Sequence, residues 1–450
     1  MKKILTLAIF IASTHTAFSQ SLNYNDLGIL FSKDDNYGTA RYESMSGAFG
    51  ALGGDISAFG INPAGAAVNK KSVFSATLSN RNTEYSSMYY GNTTNSQDNY
   101  FDISQAGGIL SFDTAYDSDW NRFALSFNYR IKKDFNGFYS AEGNSNRLIH
   151  NEHLADNKVT RTQFDASIDQ YVSSKTKGQS SVFNMGFSAV HQNKLFVGAS
   201  LNFHDIEFYR EGYFNEVNDD VDGNILDVES YTETYIQGNG FSLGLGFIYK
   251  FNQNIRVGLA YETPTWYQEV IEDYYDELIM NEIQDLSINE YINVIGSEAY
   301  AYKFKSPSRI TASGAYVLGK QGLISVDYTY KDYKNTKFSD GDFNQENTNF
   351  ANDYRNTQAL NIGTEWRFDK MSVRGGYHYE KDPNLLLGGN TNKDNIKGYS
   401  AGLGYNFGNM KFDLAYSNYE NKQFYRIYNT DDLNINNNTS RISATLTFSL

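Results

Sequence analysis

The chain has 450 residues, which at about 150 per domain gives roughly three units, although single barrels also run to this length. It holds 36 Tyr, 31 Phe and 3 Trp but only 40% hydrophobic residues, and its mean hydropathy is −0.53. Beyond the N-terminus no apolar run approaches the about 20 residues of a membrane-spanning helix, which excludes a helical transporter or receptor; with no Cys there is no disulfide framework, thiolate metal site or cysteine nucleophile, and a net charge of −14 argues against nucleic acid as a partner.

The first residues read as an export signal. Met1, Lys2 and Lys3 form a basic n-region, residues 4–12 are a short apolar core, and Ala17-Phe18-Ser19 is a small-x-small cleavage site before Gln20. Residues 1–19 are therefore expected to be a signal peptide. Its removal takes away two lysines and no acid, moving the net charge from −14 to −16. Without Cys there is no lipid anchor.

Residues 20–71 show little strand alternation and many small residues. The stretch 45–55, with Gly47, Phe49, Gly50 and Gly53, runs on to Asn62, Pro63 and Ala64. Glycine lets such a segment turn tightly and approach a wall closely.

From residue 72 onward the pattern changes to period-2 alternation in segments of about ten residues, the rhythm of a transmembrane strand with one face to lipid and one to a lumen. Fourteen such segments are expected, near 72–82, 101–115, 120–132, 179–191, 194–212, 233–250, 254–264, 302–317, 322–334, 355–368, 370–380, 397–407, 410–421 and 440–450. In the last, Ile442, Ala444, Leu446, Phe448 and Leu450 share one face, and Ser443, Thr445, Thr447 and Ser449 the other. Short turns at 116–119, 192–193, 251–253, 318–321, 369 and 408–409 interleave with long polar stretches such as 133–178, 265–301 and 335–354. Sorting of loops by parity is the mark of an outer-membrane barrel with short periplasmic turns and long external loops. The expected fold is therefore all-β: a 14-stranded antiparallel transmembrane β-barrel over 72–450, in the outer membrane of a Gram-negative bacterium and so in contact with outer-membrane lipid. Tyr328, Tyr330, Tyr377, Tyr379, Tyr416 and Tyr419 are candidates for its aromatic girdles, although Tyr416 and Tyr419 cannot share a face.

A fourteen-stranded barrel encloses more space than its side chains fill, so residues 20–71 are expected to plug it. The signal peptide, the Gly-rich stretch 47–55, Asn62-Pro63-Ala64 and the following strands together resemble the FadL family of outer-membrane long-chain fatty-acid transporters. The resemblance spans the mature chain in architecture and residues 47–65 as motif. It implies an N-terminal hatch carrying Asn62, Pro63 and Ala64, and passive uptake of hydrophobic compounds. Ligand would be captured among external loops, passed to a site beside the hatch and released through a gap in the wall.

The residues themselves point to several candidate sites. Trp266, Tyr267, Val270, Ile271, Tyr274, Tyr275, Leu278 and Ile279 have helical 3-4 spacing, with acids mainly between them, and predict an amphipathic loop helix that packs on a neighbour or forms a ligand groove. Arg130, Arg256 and Arg309 lie opposite apolar neighbours and so face the lumen, as solvated wall charges or as partners for a ligand carboxylate. Asn218, Asp220, Asp222 and Glu229 have the spacing of a calcium loop, against which stands the hairpin signal Asp222-Gly223. His150 and His153 are a weak surface-metal candidate. No other cofactor is expected. No catalytic Ser/His/Asp spacing or phosphate loop is present, so no catalytic residues are expected.

Two functions follow: uptake of hydrophobic small molecules, or a protein-interaction barrel of the same fold serving exported proteins, with the protein partner unknown. An outer-membrane hydrolase using His204 or His378 is a third.

Overall fold

The computed structural model describes residues 22–115, 118–154, 163–284, 287–385, 395–425, 427 and 433–450. The expected signal peptide lies outside them. Eighteen antiparallel strands form one sheet. They are β1 (Val73–Tyr89), β2 (Asn92–Asp113), β3 (Trp120–Asp134), β4 (Gly137–Gly143), β5 (Ala166–His191), β6 (Leu195–Asp219), β7 (Ile225–Lys250), β8 (Ile255–Glu262) and β9 (Trp266–Gln284). The chain continues through β10 (Ser287–Lys305), β11 (Arg309–Leu318), β12 (Gly322–Lys331), β13 (Lys337–Ser339), β14 (Thr357–Phe368), β15 (Met371–Glu380), β16 (Ile396–Asn406), β17 (Met410–Tyr425) and β18 (Leu433–Ser449).

All but β4, β9, β10 and β13 make the wall, which is a closed fourteen-stranded barrel, and each of its strands overlaps one of the fourteen expected segments. Closure is made by β1 and β18, paired from Val73↔Ser449 to Tyr89↔Leu433. A closed ladder satisfies backbone groups where no water can reach them. The short turns at 192–193, 251–253, 318–321, 369 and 408–409 join the strands as expected, with left-handed residues such as Gln192, Asn193 and Asp369 closing them, and the one expected at 116–119 lies partly outside the described residues.

The alternation sorts as the pattern predicts. Leu125, Leu245, Leu446 and Phe448 stand 40 to 60% exposed on the outside, whereas Ser126, Ser242, Ser443 and Thr445 are buried inside. A contiguous apolar band of this kind marks a surface that meets lipid, not water. Tyr328, Tyr330, Tyr377 and Tyr416 are on the exposed face, while Tyr419 lines an internal cavity.

Several strands are far longer than a bilayer requires. β5, β6 and β7 have 26, 25 and 26 residues, against the about 10 that cross a membrane. Their upper halves, with β9 and β10, form an external sheet. This corrects the expected loop helix: residues 266–279 belong to β9, paired with β7 from Phe241↔Trp266 to Ile225↔Ile283 and with β10 on its other side. The physical reason is that β7 offers a ladder of unpaired backbone groups beside a segment rich in Tyr, Ile and Val, which suit a pleated surface. A helix there would leave that edge open. The breaks between β8 and β9 and between β10 and β11 fall at Pro264 and Pro307, where proline cannot donate to the ladder. Thr265 and Ser306 lace the two breaks, with Thr265 N donating to Ser306 Oγ at 3.0 Å and Ser306 N donating to Thr265 O at 3.0 Å.

The outward row of β7 makes the membrane contact testable. Leu245→Arg should cost about 2–4 kcal/mol of folding free energy in liposomes if it sits near the midplane, measured by denaturant titration. An arginine at exposed Val221, on the external turn between β6 and β7, should leave the midpoint unchanged.

Candidate functional site

The N-terminal segment, residues 22–72, lies inside the barrel against its polar inner face. It consists of α1 (Tyr24–Ser32), α2 (Ala40–Glu43) and short 3-10 turns at Ser57–Gly60 and Pro63–Val68. Asn23 caps α1 by accepting from Asp26 N, and Thr39 caps α2 by accepting from Tyr42 N.

Asn62, Pro63 and Ala64 have a specific local job. The Asn62 side chain caps the second 3-10 turn by accepting from Ala64 N at 3.1 Å, and Pro63 occupies the first position, where no N–H is needed. Asn62 Nδ2 donates to Gly50 O at 2.8 Å and Phe247 O at 3.0 Å, joining the Gly-rich stretch to the wall. That approach requires bare backbone at Gly246, where a Cβ would fall 2.1 Å from Asn62 Oδ1. Gly53, at φ +57°, turns the chain back against Gly65. Gly47 lies against Tyr42, and Phe49 is fully buried beside Tyr42 and under the Arg41 guanidinium. Gly50 N donates to Asp327 Oδ2 at 2.8 Å.

Ion pairs fasten this segment around the circumference. Arg130 grips Asp34 with two hydrogen bonds, at 2.9 and 2.6 Å, and Arg309 reaches Asp34 at 3.7 Å and Glu262 at 2.5 Å. Arg256 donates to Leu52 O at 3.1 Å. The three lumenal arginines therefore hold the chain's own N-terminal segment, Arg130 and Arg309 through carboxylates and Arg256 through a backbone carbonyl, with Arg256 Nε left without a partner among the described residues. Burial acts to raise the Asp34 carboxyl, but Arg130, with Arg309 adding to it, holds it well below the usual carboxylate range. On the opposite side Arg41 meets Glu365 at 2.7 Å and Arg441 meets Glu43 at 3.1 Å.

Above the segment lies a cavity of about 260 Å³. Its floor is Lys33 to Tyr37, and its walls include Ile29, Tyr85, Phe135, Tyr139, Phe208 and Tyr425. Arg210 projects into it from β6. Its only hydrogen bond among the described residues is from Nε to Ser174 Oγ, at 3.0 Å, and no carboxylate of the described residues lies within ion-pair distance. The sequence reading missed Arg210, since the expected strand there ends just after it and the residue is one of several charges in an external stretch.

The cavity reaches the wall at a seam. β2 pairs with β3 only from Gln105↔Arg130 to Asp113↔Arg122. Beyond that point residues 92–103 of β2 pair with β1, while the end of β3 and all of β4 pair with β5. β3 departs from the wall because its end is drawn inward. Ile131 and Phe135 are buried, Phe135 lies against Phe31 of α1 and Phe208, and Asp35 N donates to Lys132 O at 2.8 Å. Lys133 Nζ donates to Asp35 at 2.9 Å. The N-terminal segment thus takes a backbone partner from the edge that β2 leaves open.

The other candidates fall elsewhere. Tyr267 and Val270 are fully buried in the aromatic cluster that holds Leu27, Ile29 and Phe31 of α1. Trp266 packs on Phe241, Tyr275 lies near Tyr231, Tyr274 is half-buried, Leu278 packs against the cluster of Phe164, Leu226 and Val228, and Ile271 faces outward. As a strand, this set is split between two faces and makes no single groove. The calcium candidate is a hairpin turn: Asp220 accepts from Asp222 N, Asn224 N and Asn224 Nδ2, Asn218 donates to Glu216 and His150 O, and Glu229 accepts from Tyr213. These residues form a hairpin turn in which Asp222 is exposed. His153 is buried between Glu282 at 2.7 Å and Asp220 at 3.6 Å, a clasp between loop and strand that does not include the His150 side chain. No group of three His, Asp or Glu among the described residues is arranged for a metal. His204 Nε2 lies 2.9 Å from Ser242 Oγ, but Glu262 bonds the serine, not His204 Nδ1, and Ser242 is fully buried, so the order of a hydrolytic triad is absent there.

No family model matches the sequence, and no curated protein is detectably similar to it. Solved structures do match in fold. A FadL homologue of Pseudomonas aeruginosa superposes with a TM-score of 0.59 at 12% identity, over 93% of this chain and 99% of that one. A monoaromatic hydrocarbon channel, CymD, gives 0.53 at 13% identity, over 92% and 97%. The toluene transporter TodX of Pseudomonas putida gives 0.52 at 14% identity, over 92% and 99%.

Because the Asp34 carboxyl is depressed, its contribution to holding the segment is complete above the ordinary aspartate pKa of about 4 and is lost as pH falls from there toward the folded value. Trypsin cleavage after Lys33 or Arg41 should be slow at neutral pH and fast in Asp34→Ala, where Arg130 is left buried without its partner at a cost of about 3–5 kcal/mol. Equal cleavage rates would separate Asp34 from the anchoring. Taken together, the closed wall, the lipid-facing band and the superpositions show that the chain has the fourteen-stranded barrel fold of FadL-type proteins.

Proposed function

We propose that this chain is a FadL-family channel of the outer membrane of a Gram-negative bacterium that takes up hydrophobic small molecules passively, with residues 20–71 as its hatch. The observation that carries this reading is the cavity: it lies directly above the N-terminal segment, carries Tyr85, Phe135, Tyr139, Phe208 and Tyr425 among polar and charged neighbours on its walls, and ends at a seam where the backbones of β2 and β3 are not paired. Channels that conduct ions across the whole barrel have no need of such a seam. A molecule leaving between β2 and the end of β3 passes beside Phe101 and Ile103, which stand exposed on the outer surface of β2, and enters lipid without crossing the hatch.

The same cavity supports an amphiphile with an anionic end, such as a long-chain fatty acid, over a purely apolar solute. Arg210 offers a guanidinium whose terminal nitrogens have no carboxylate partner among the described residues, and a carboxylate bound there would gain charge-assisted hydrogen bonds in a site shielded from water. The aromatic walls would take the alkyl chain. Nothing in this mechanism is catalytic; the protein orders a path, and the concentration gradient drives the flow.

One feature favours the protein-interaction alternative. β10 is paired with β9 on one side and with β13 only at Lys303–Lys305, so its outer edge is open, and it exposes Ile288, Tyr291, Ile292 and Val294. Such an edge can accept a strand from another chain.

Native mass spectrometry of protein taken from its own membrane separates the two readings. A stoichiometric fatty acid supports uptake, and an empty barrel bound to a protein overturns it. Arg210→Gln should weaken palmitate binding about tenfold, one lost charge-assisted interaction, while leaving hexadecanol unaffected. Deleting residues 22–65 should turn an electrically silent barrel into an ion-conducting pore in planar bilayers, and unchanged conductance would exclude a hatch.

A further inference from the structure

We propose that Arg81 is the bolt of the seam: a single guanidinium, clasped by one carboxylate from each side, that must let go before a molecule can pass from the cavity into the membrane. The inference rests on the lateral route proposed above and adds the group that controls it.

The geometry is direct. Arg81 is on β1 and points inward, 5% exposed. Its Nη2 meets Asp98 of β2 at 2.5 Å, and its Nε meets Asp134 at the end of β3 at 2.5 Å. Nη1 is taken by Thr83 Oγ1 at 2.6 Å. Asp98 and Asp134 stand on the two strands whose backbones do not pair here. The seam is therefore closed by side chains where the rest of the wall is closed by a ladder, and side-chain contacts can break without unzipping the barrel. Arg81 and Asp134 both line the cavity, and Phe101 and Ile103 lie on the membrane side of the same stretch of β2. An apolar molecule moving outward meets the clasp first and the apolar lip second.

The clasp is also tied to the hatch. Asp134 N donates to Asp35 Oδ2 at 3.3 Å, and the neighbouring Lys133 is held by the same carboxylate. The aspartate that draws β3 inward thus touches the residue that receives Arg81. Movement of residues 34–36 on ligand arrival would shift Asp134 relative to Arg81 while Asp98 stays with β1 and β2. The asymmetry in burial agrees: the Asp134 side chain is 1% exposed and that of Asp98 27%, so the pair to Asp98 is the more readily solvated and the one to open first.

The test uses Arg81→Gln, with Asp98→Asn as a second variant that leaves the more buried pair intact. Both are first checked for heat-modifiable mobility. Since the native chain has no Cys, spin labels can be placed on Asn99→Cys of β2 and Phe138→Cys of β4 in liposomes, and their separation read by pulsed EPR. Palmitate release from the barrel into the bilayer is timed on the same proteins by stopped flow. The expected result is a longer and broader label distance in both variants, with release faster by about tenfold, the effect on a rate of about 1.4 kcal/mol. An unchanged distance in Arg81→Gln and in Asp98→Asn overturns the bolt, whatever the release rate. A widened seam with unchanged release sustains the clasp across the seam and overturns the lateral route, so the two readings fail separately. If Arg81→Gln does not fold, the Asp98→Asn distance alone decides.

Discussion

A strand in hydrocarbon has nowhere to put an unpaired N–H or C=O, and most of this molecule follows from that constraint. It forces fourteen strands into a closed ring, with β1 returned to β18 in an unbroken register. It puts leucine and phenylalanine on the outside and serine, threonine and asparagine within. It also makes any interruption of the ladder informative, because the groups freed by an interruption must be satisfied by something else. Where β2 and β3 part, the replacements are at hand: Asp35 N for Lys132 O, and Asp102 Oδ1 for Ile103 N at 2.6 Å.

The inner face creates the second requirement. A ring of this size leaves a wide, polar interior holding arginines, acids and amides that need partners. The N-terminal segment supplies them, with Asp34 for Arg130, Glu43 for Arg441 and Arg41 for Glu365. Its fastening is electrostatic around the edge and steric at the centre, where wall glycines admit backbone at distances that a methyl group would forbid. Such fastening holds the segment in one place under ordinary conditions and still leaves each contact separately breakable. Both properties suit the hatch role proposed for it.

The external half obeys different rules. There water is available, yet β5, β6 and β7 run on as strands and recruit β9 and β10. The consequence is that Ile29, Phe135 and Phe208 of the cavity wall are backed by an aromatic cluster around α1 that includes Tyr267, Tyr302, Phe338 and Phe350. The uptake route proposed above would therefore run within one continuous sheet.

What the sequence determined by itself was everything governed by short-range periodicity. The fourteen wall strands, the parity of their turns, the outward and inward faces, and the small-residue segment ending in Asn62-Pro63-Ala64 were all legible, because a two-residue repeat and a proline-capped turn are local facts. What only the tertiary structure decided was which charged groups meet. Residues 266–279 satisfy a helical repeat and a strand equally well, and the edge of β7, not their own propensity, made them a strand. Arg130, Arg256 and Arg309 read as lumenal from their neighbours in sequence, but whether each was free depended on Asp34, Leu52 and Glu262, which lie far away along the chain. Arg81, Asp98 and Asp134 come from three strands, and that Arg210 faces the cavity with no carboxylate partner among the described residues is likewise set by the fold. Partnership across a barrel is set by register and closure, and no window of sequence contains it.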